Sequence, residues 1–226
     1  MHECTDATVQ AAKRILRYLK GTKNVGLEYS PEIEKNFRKT YLKIAKDANK
    51  NLPDTVAFSD SDFAGDSVSL YSTSGSILYH RGTPICWSSK RQAVRAGSTC
   101  EAEYVALYDT IRLTQSQGFL DWFLHEGVEI PLIFGDSESS LALSRSSVVT
   151  KRSKHIHLRF RTVRDFRKYL AYVPTGINKA DPLTKAVSSE KYVGLFGDNS
   201  AKSLFVSEAL GFDYGESFER EFYWSI

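Results

Sequence analysis

The stretch "AFSDSDFAGD" runs from Ala57 to Asp66 and holds three acids, Asp60, Asp62 and Asp66. The residues leading into it, Thr55 to Phe58, are β-branched, apolar and aromatic, which is a strand pattern. A strand that ends in carboxylates reads as a turn, a calcium loop or part of a catalytic metal site. The calcium-loop reading fails on spacing. A helix-loop-helix calcium loop closes with a glutamate at its twelfth position, and that position, counted from Asp60, is Tyr71. Asp62 and Asp66 read as turn residues, which leaves Asp60 at the end of the strand as the acid to follow.

Working outward, "GSILYHRGTPICWSS" (Gly75 to Ser89) reads as two strands around the turn "HRGT", with Gly82 supplying the turn. In "GSTCEAEYVALYDTIRLTQSQ" (Gly97 to Gln117), Ser98 followed by Glu101 is a capping-box signature. Ala102, Val105, Ala106 and Ile111 then form the apolar stripe of a long helix. "IPLIFGD" is a buried strand running into Asp136, and "SESSLALSRS" a short helix. The basic block "KRSKHIHLRFRTVRDFRKY" is a further helix, "YLAYVPT" a strand, and "INKADPLTKAV" the start of a last helix. Hairpin strands followed by alternating helices and strands predict an α/β fold, a mixed sheet of antiparallel hairpin strands plus parallel strands with flanking helices.

Upstream, Val9, Ala12, Ile15, Leu16 and Leu19 fall at helical spacing and predict a helix that packs by its apolar side and stops at Gly21. The segment Ser30 to Asn51 is polar and weakly periodic and reads as a linker or peripheral insertion. Three regions follow: 1–53, an N-terminal helix and linker; 54–186, the sheet domain; and 187–226, a tail. The tail, which includes "SLFVSEALGF" and the acidic, aromatic "DYGESFEREFYWSI", carries no legible chemistry.

The chain has 226 residues, 42% hydrophobic and 25% charged, which is ordinary globular composition. Its net charge of +3 is too mild to specify a nucleic-acid partner. The distribution is uneven, however. Lys151, Arg152, Lys154, Arg159, Arg161, Arg164, Arg167 and Lys168 face a single acid, Asp165. Such a block is either a phosphate-facing surface or a solvated helix face. Cys4, Cys86 and Cys100 have neither disulfide nor zinc spacing and point to a reducing, intracellular setting. The sequence has no secretory signal pattern and no apolar run of membrane-spanning length, so no membrane partner is expected.

Four acids sit where side chains converge at the edge of an open sheet. Asp60 ends the first strand, Glu103 lies one turn into the long helix, Asp136 ends the central strand, and Asp181 begins the last helix. Held together without cations, four carboxylates repel. With magnesium they supply the oxygen ligands that the ion favours. The competing reading is that acids at helix starts are simply common.

At this point the sequence resembles a known family. "AFSDSDFAGD", "STSGSILY", "PICWSSKRQ", "STCEAEYVAL", "GDSESSLAL", "KHIHLRF" and "YVPTGINKADPLTK" stand in the order found in the ribonuclease H domain of copia-type LTR retrotransposon Pol polyproteins. "AAKRILRYLKGT" resembles the connecting helix at the end of the reverse transcriptase. The resemblance covers roughly Ala7 to Ala186. It implies a ribonuclease H-like fold and an endonuclease that hydrolyses the RNA strand of RNA–DNA hybrids during reverse transcription. The implied catalytic and metal-binding set is Asp60, Glu103, Asp136 and Asp181, holding two Mg2+ (or Mn2+) ions.

The implied substrate contacts are Ser61, Ser137, Lys151, Arg152, Lys154 and Arg159, with Ser98 read first as a helix cap. The implied partners are the hybrid and the reverse transcriptase portion of the same polyprotein. The implied location is the cytoplasm, within a virus-like particle, and the nucleus. Cellular relatives carry a histidine shortly before the last aspartate, and "VPTGINKAD" has none. His155 and His157, two apart, point to different helix faces and do not read as a metal pair. An integrase of related fold would place its glutamate last, whereas here it comes second. The absence of a "YxDD" segment fits a piece of Pol or a relic reading frame starting at Met1, in which case an inactive remnant or a non-catalytic nucleic-acid-binding module is the alternative.

Overall fold

The computed structural model describes residues 5–21, 23, 26–65, 68–123, 130–146, 157–185, 187, 188, 191 and 195. Its centre is a five-stranded sheet. The strands are β1 (Thr55–Asp62), β2 (Thr73–His80), β3 (Thr83–Arg91), β4 (Leu132–Gly135) and β5 (Leu170–Tyr172). They lie in the order β3-β2-β1-β4-β5. The first three are antiparallel neighbours, while β4 pairs parallel to β1 and β5 parallel to β4. This is the mixed ribonuclease H-like sheet that the sequence predicts.

The sheet is apolar on both faces, as its central strands require. Val56 and Phe58 of β1 point to one side with Ile77, Tyr79, Leu132 and Phe134. Ala57 points to the other with Leu78, Ile133 and Leu170. The alternation follows the two-residue period of a strand. Helix α3 (Thr99–Phe123) covers the second face with Tyr104, Leu107 and Ile111, assisted by Leu141 of α4 (Glu138–Arg145) and Val163 of α5 (His157–Asp165). The capping signature is realised at the start of α3. The Glu101 amide donates to Ser98 Oγ at 3.2 Å, and the Glu101 carboxylate accepts from the Gly97 amide at 2.8 Å.

The first face is covered by a helix where a linker or peripheral insertion was expected. Pro31 to Asp47 forms α2, capped by Ser30, whose hydroxyl accepts from the Ile33 amide, with proline in the first turn. Both are standard helix-start devices. Phe37 and Tyr41 enter an aromatic cluster with Phe58, Tyr79 and Phe134, at centroid separations of 4.5 to 6.3 Å. The Tyr41 hydroxyl donates to the Ile177 carbonyl at 2.8 Å. Gly82, at φ +84° in the β2–β3 turn, lets the helix approach closely, because a Cβ there would stand 2.8 Å from that of Phe37.

The N-terminal helix α1 (Asp6–Gly21) ends at Gly21 as expected, but no residue of it is buried. Leu16 and Leu19 are 66% and 56% exposed, so the helix does not pack by its apolar side. The last predicted helix also differs. "GINKADPLTK" forms two single 3-10 turns, Thr175–Ile177 and Asp181–Leu183, with Pro182 inside the second. Asp66, the tail from 196 onward and the basic residues before His157 lie outside the described residues. No helix among the described residues is long and apolar enough to cross a membrane.

Candidate active site

Register builds the site. Ser59 pairs with Gly135 across the parallel β1–β4 ladder, so the next residue of each chain segment, Asp60 and Asp136, leaves the sheet at neighbouring points. Glu103, on the second turn of α3, is presented above the end of β1. One carboxylate oxygen from each of Asp60, Glu103 and Asp136 lies within 4.8 Å of the others. These three acids come from a strand, a helix and a strand exit, and the structure brings them to one point.

Their electrostatics suit a cation. Burial pushes the Asp60 carboxyl up to about 6, and Asp136 and Asp181 push the same way, while the Thr184 hydroxyl and Lys185 oppose. Burial pushes Glu103 up to about 8, reinforced by Asp60 and Asp136. Ser61 opposes that shift from beside Glu103, although its hydroxyl makes no hydrogen bond of good geometry. A divalent ion relieves such a cluster directly, because burial and the neighbouring carboxylates both penalise the charged form. All ligand atoms are hard oxygens, the donors that magnesium and manganese favour.

Asp181 stands apart from this triad. Its side chain is 0% exposed, and its two oxygens lie 2.7 Å from Lys185 Nζ and 2.7 Å from Lys191 Nζ. The turn that carries it is fastened to the sheet by residues the sequence reading did not single out. Asn178 is fully buried. Its Nδ2 donates to the Ser59 carbonyl at 3.0 Å and its Oδ1 accepts from the Ala180 amide at 3.1 Å. Ser89 Oγ donates to the Leu183 carbonyl at 2.6 Å. Thr184 Oγ1 donates to Asp60 Oδ2. The available signal was an asparagine between a strand and an Asp-Pro turn, where a side-chain amide replaces missing backbone partners.

Gly75 makes this packing possible. It pairs with Asp60 across β1–β2. A Cβ on it would meet Thr184 Cγ2 at 2.7 Å and the Ala180 carbonyl oxygen at 3.0 Å. Gly75→Ala is expected to lower stability by roughly 1–3 kcal/mol through overpacking and to lift Thr184 off Asp60. Thermal denaturation, with the hydroxyl-deleting Thr184→Val alongside, checks this outcome.

The other sequence candidates have structural settings. Ser137 caps α4, accepting from the Ser140 amide at 3.2 Å. The Arg159 guanidinium lies 5.8 Å from the Tyr108 ring centre, between α5 and α3. Lys151, Arg152 and Lys154 lie outside the described residues. Asp62, on the same strand as Asp60, is raised by burial and feels both Lys185 and Asp181, but it is not one of the three clustered acids.

A sheet in 3-2-1-4-5 order with acids at the ends of β1 and β4 and on α3 places the chain in the ribonuclease H-like class. The chain belongs to the copia-type retrotransposon Pol polyproteins. It is 33% identical over 195 residues to the retrovirus-related Pol polyprotein from transposon RE1 of Arabidopsis thaliana, covering 83% of this chain and 12% of that protein. It is 32% identical over 190 residues to the corresponding polyprotein from transposon TNT 1-94 of Nicotiana tabacum, covering 81% of this chain and 13% of that protein. The chain therefore spans about an eighth of these relatives. No family model matches. Among solved structures, LC11-RNase H1, isolated from compost, is similar at TM-score 0.41 and 20% identity, over 57% of this chain and 91% of that one.

Proposed function

We propose that the chain is the ribonuclease H of a retrotransposon Pol polyprotein and cleaves the RNA strand of RNA–DNA hybrids by metal-dependent phosphodiester hydrolysis. The observation that carries this reading is the meeting of Asp60, Glu103 and Asp136, from three separate elements, within 4.8 Å. These three residues would hold a magnesium or manganese ion. When bound, the ion supplies charge neutralisation at the scissile phosphate and a water of lowered pKa.

The protein's own residues perform the rest. Asp60 is fixed by Thr184, so its carboxylate keeps one orientation as substrate enters. Burial of Asp60 and Glu103 limits water access and strengthens every electrostatic contact at the phosphate. Asp136, beside the capping residue of α4, is held by the start of that helix. Ser61 and Ser137 flank the acids and offer hydroxyls to the ribose and phosphate oxygens. The basic run that includes Lys151, Arg152, Lys154 and Arg159 contributes backbone contacts, which favour an A-like duplex by shape rather than by base sequence. Asp181 is the fourth acid of the set implied by the family resemblance. As placed, each of its oxygens lies 2.7 Å from a lysine ammonium without a hydrogen bond of good geometry, and no step is assigned to it.

That pairing favours a second reading, a non-catalytic nucleic-acid-binding remnant. A labelled RNA–DNA hybrid separates the two. Cleavage of the RNA strand that requires Mg2+ and stops with a chelator is the expected result, with the same RNA in single-stranded form left intact. A folded chain that binds the hybrid and never cuts it, in either Mg2+ or Mn2+, is the remnant.

A further inference from the structure

Glu103 is the acid of the triad that comes from a helix, so its place depends on how the first turn of α3 is held against the sheet. The capping bonds of Ser98 and Glu101 join that turn to its own leading loop, and the loop can move with the helix. The apolar contacts of Tyr104 and Leu107 hold α3 down but are not directional. Gln92 supplies the directional link.

Gln92 follows directly on β3, and its side chain is 3% exposed. Its backbone amide donates to the Ser72 carbonyl at 2.8 Å, which fixes its own place beside β2. Its Nε2 donates to Ser74 Oγ at 3.0 Å and to the Ala102 carbonyl at 2.9 Å. Both amide hydrogens are thereby used. A carbonyl can only accept, so the bond to Ala102 also fixes which end of the Gln92 amide faces α3.

The two acceptors stand on either side of Glu103. The Ala102 carbonyl and the Glu103 amide belong to one planar peptide, so a bond to that oxygen orients the unit that carries the Glu103 Cα. Ser74 is the residue directly opposite Ser61 in the β1–β2 ladder, and Ser61 lies next to Asp60 in β1 and beside the Glu103 carboxylate. One side-chain amide thus spans the strand position that flanks the site and the helical peptide that enters it. Stability alone does not select this residue. Gln92 Oε1 is buried with no hydrogen-bond partner among the described residues. An unpaired buried oxygen is a cost that an apolar side chain of the same length avoids.

We propose that Gln92 is a positioning residue of the metal centre, holding the Ala102–Glu103 peptide against Ser74 so that the Glu103 carboxylate stays set toward Asp60 and Asp136. The proposal rests on the metal-centre reading above and names the group that keeps its helical ligand in place.

The test measures Mn2+ affinity of the full chain by titration, with electron paramagnetic resonance of the free ion as readout. Gln92→Met keeps the length of the side chain and removes both donors. It is expected to weaken Mn2+ binding by about tenfold or more, the usual effect of losing a group that orients a ligand. Thr110→Val is the comparison. It cuts another buried hydrogen bond between α3 and β2, Ser76 Oγ to Thr110 Oγ1 at 2.7 Å, about two turns further along the helix. It is expected to lower the melting temperature and leave Mn2+ affinity unchanged. Unchanged affinity in a folded Gln92→Met protein, or equal weakening in both variants, overturns the proposal and leaves the metal centre standing. No Mn2+ binding by the unsubstituted chain overturns the metal-centre reading and this proposal with it. Should Gln92→Met fail to fold, Gln92→Asn decides by the same two criteria, because an amide drawn back by one methylene cannot reach both acceptors.

Discussion

Replacing Asp60 with asparagine is expected to lower hybrid cleavage by about a thousandfold or more, ~4 kcal/mol of barrier, because the central carboxylate of the metal site is lost. The same change is expected to stabilise the metal-free chain. Asp60 titrates near 6 in the fold against an ordinary 3.8. A raised carboxyl costs nothing below the lower value, where it is protonated in both folded and unfolded chains. Above the higher value the full penalty is present. Glu103 does the same between 4.5 and about 8. The folded chain therefore binds more protons than the unfolded one across this window, and stability falls as pH rises through it.

In chelator, the stability of the unsubstituted protein should decline from about pH 4 toward pH 8, by on the order of 2–3 kcal/mol for the Asp60 contribution alone. Saturating Mg2+ should flatten the decline, and Asp60→Asn should remove its acidic half. Thermal melts across pH, with and without the ion, read all three. A metal-free chain whose stability rises from pH 5 to 8 contradicts the picture of a strained carboxylate cluster.

The second large effect concerns α2. A chain shortened to begin at Asp54 keeps every strand of the sheet and all four candidate acids, yet it should fail to fold. Removing α2 uncovers Val56, Phe58, Ile77, Tyr79, Leu132 and Phe134 together. At roughly 1.5–3 kcal/mol for each large side chain returned to water, the loss is about 9–18 kcal/mol. That matches the whole stability of an ordinary domain, about 5–15 kcal/mol. Beginning the chain at Tyr29 instead removes only α1, which buries no residue. That protein should melt within a few degrees of the full chain. Circular dichroism and gel filtration of the two shortened proteins decide the matter, and equal stability for both would show that α2 is the dispensable linker of the sequence reading.

What the sequence made legible follows from local chemistry. "TVAFS" and the "HRGT" hairpin were readable because strand and turn preferences act within a few residues. The Ser98–Glu101 cap was readable for the same reason, and its two hydrogen bonds are present. Helix α2 was missed although Ile33, Phe37 and Tyr41 stand four apart behind a Ser-Pro start. The lysines, arginine and glutamate between them diluted the apolar signal, and only the facing sheet reveals which side is buried. The last acid was readable as a residue type but not as a contact. Lys185 is four residues from Asp181, whereas Lys191 is ten residues away, a contact that no local pattern encodes. Asn178 was passed over because its value lies in reaching the Ser59 carbonyl, at a sequence separation of 119 residues.

The order of the strands has a consequence for how this chain tolerates company. A sheet that is not closed has two outer margins, each with unpaired backbone groups that can recruit another strand. Here one margin is β5, only three residues long. The other is β3, where Pro84 offers no amide hydrogen, the ladder shifts register beside Leu78 and Tyr79, and Lys90 and Arg91 put charge at the far end. Proline, an irregular ladder and lysine are the features that discourage strand addition. Both margins of this sheet thereby discourage the addition of a strand from another copy of the chain.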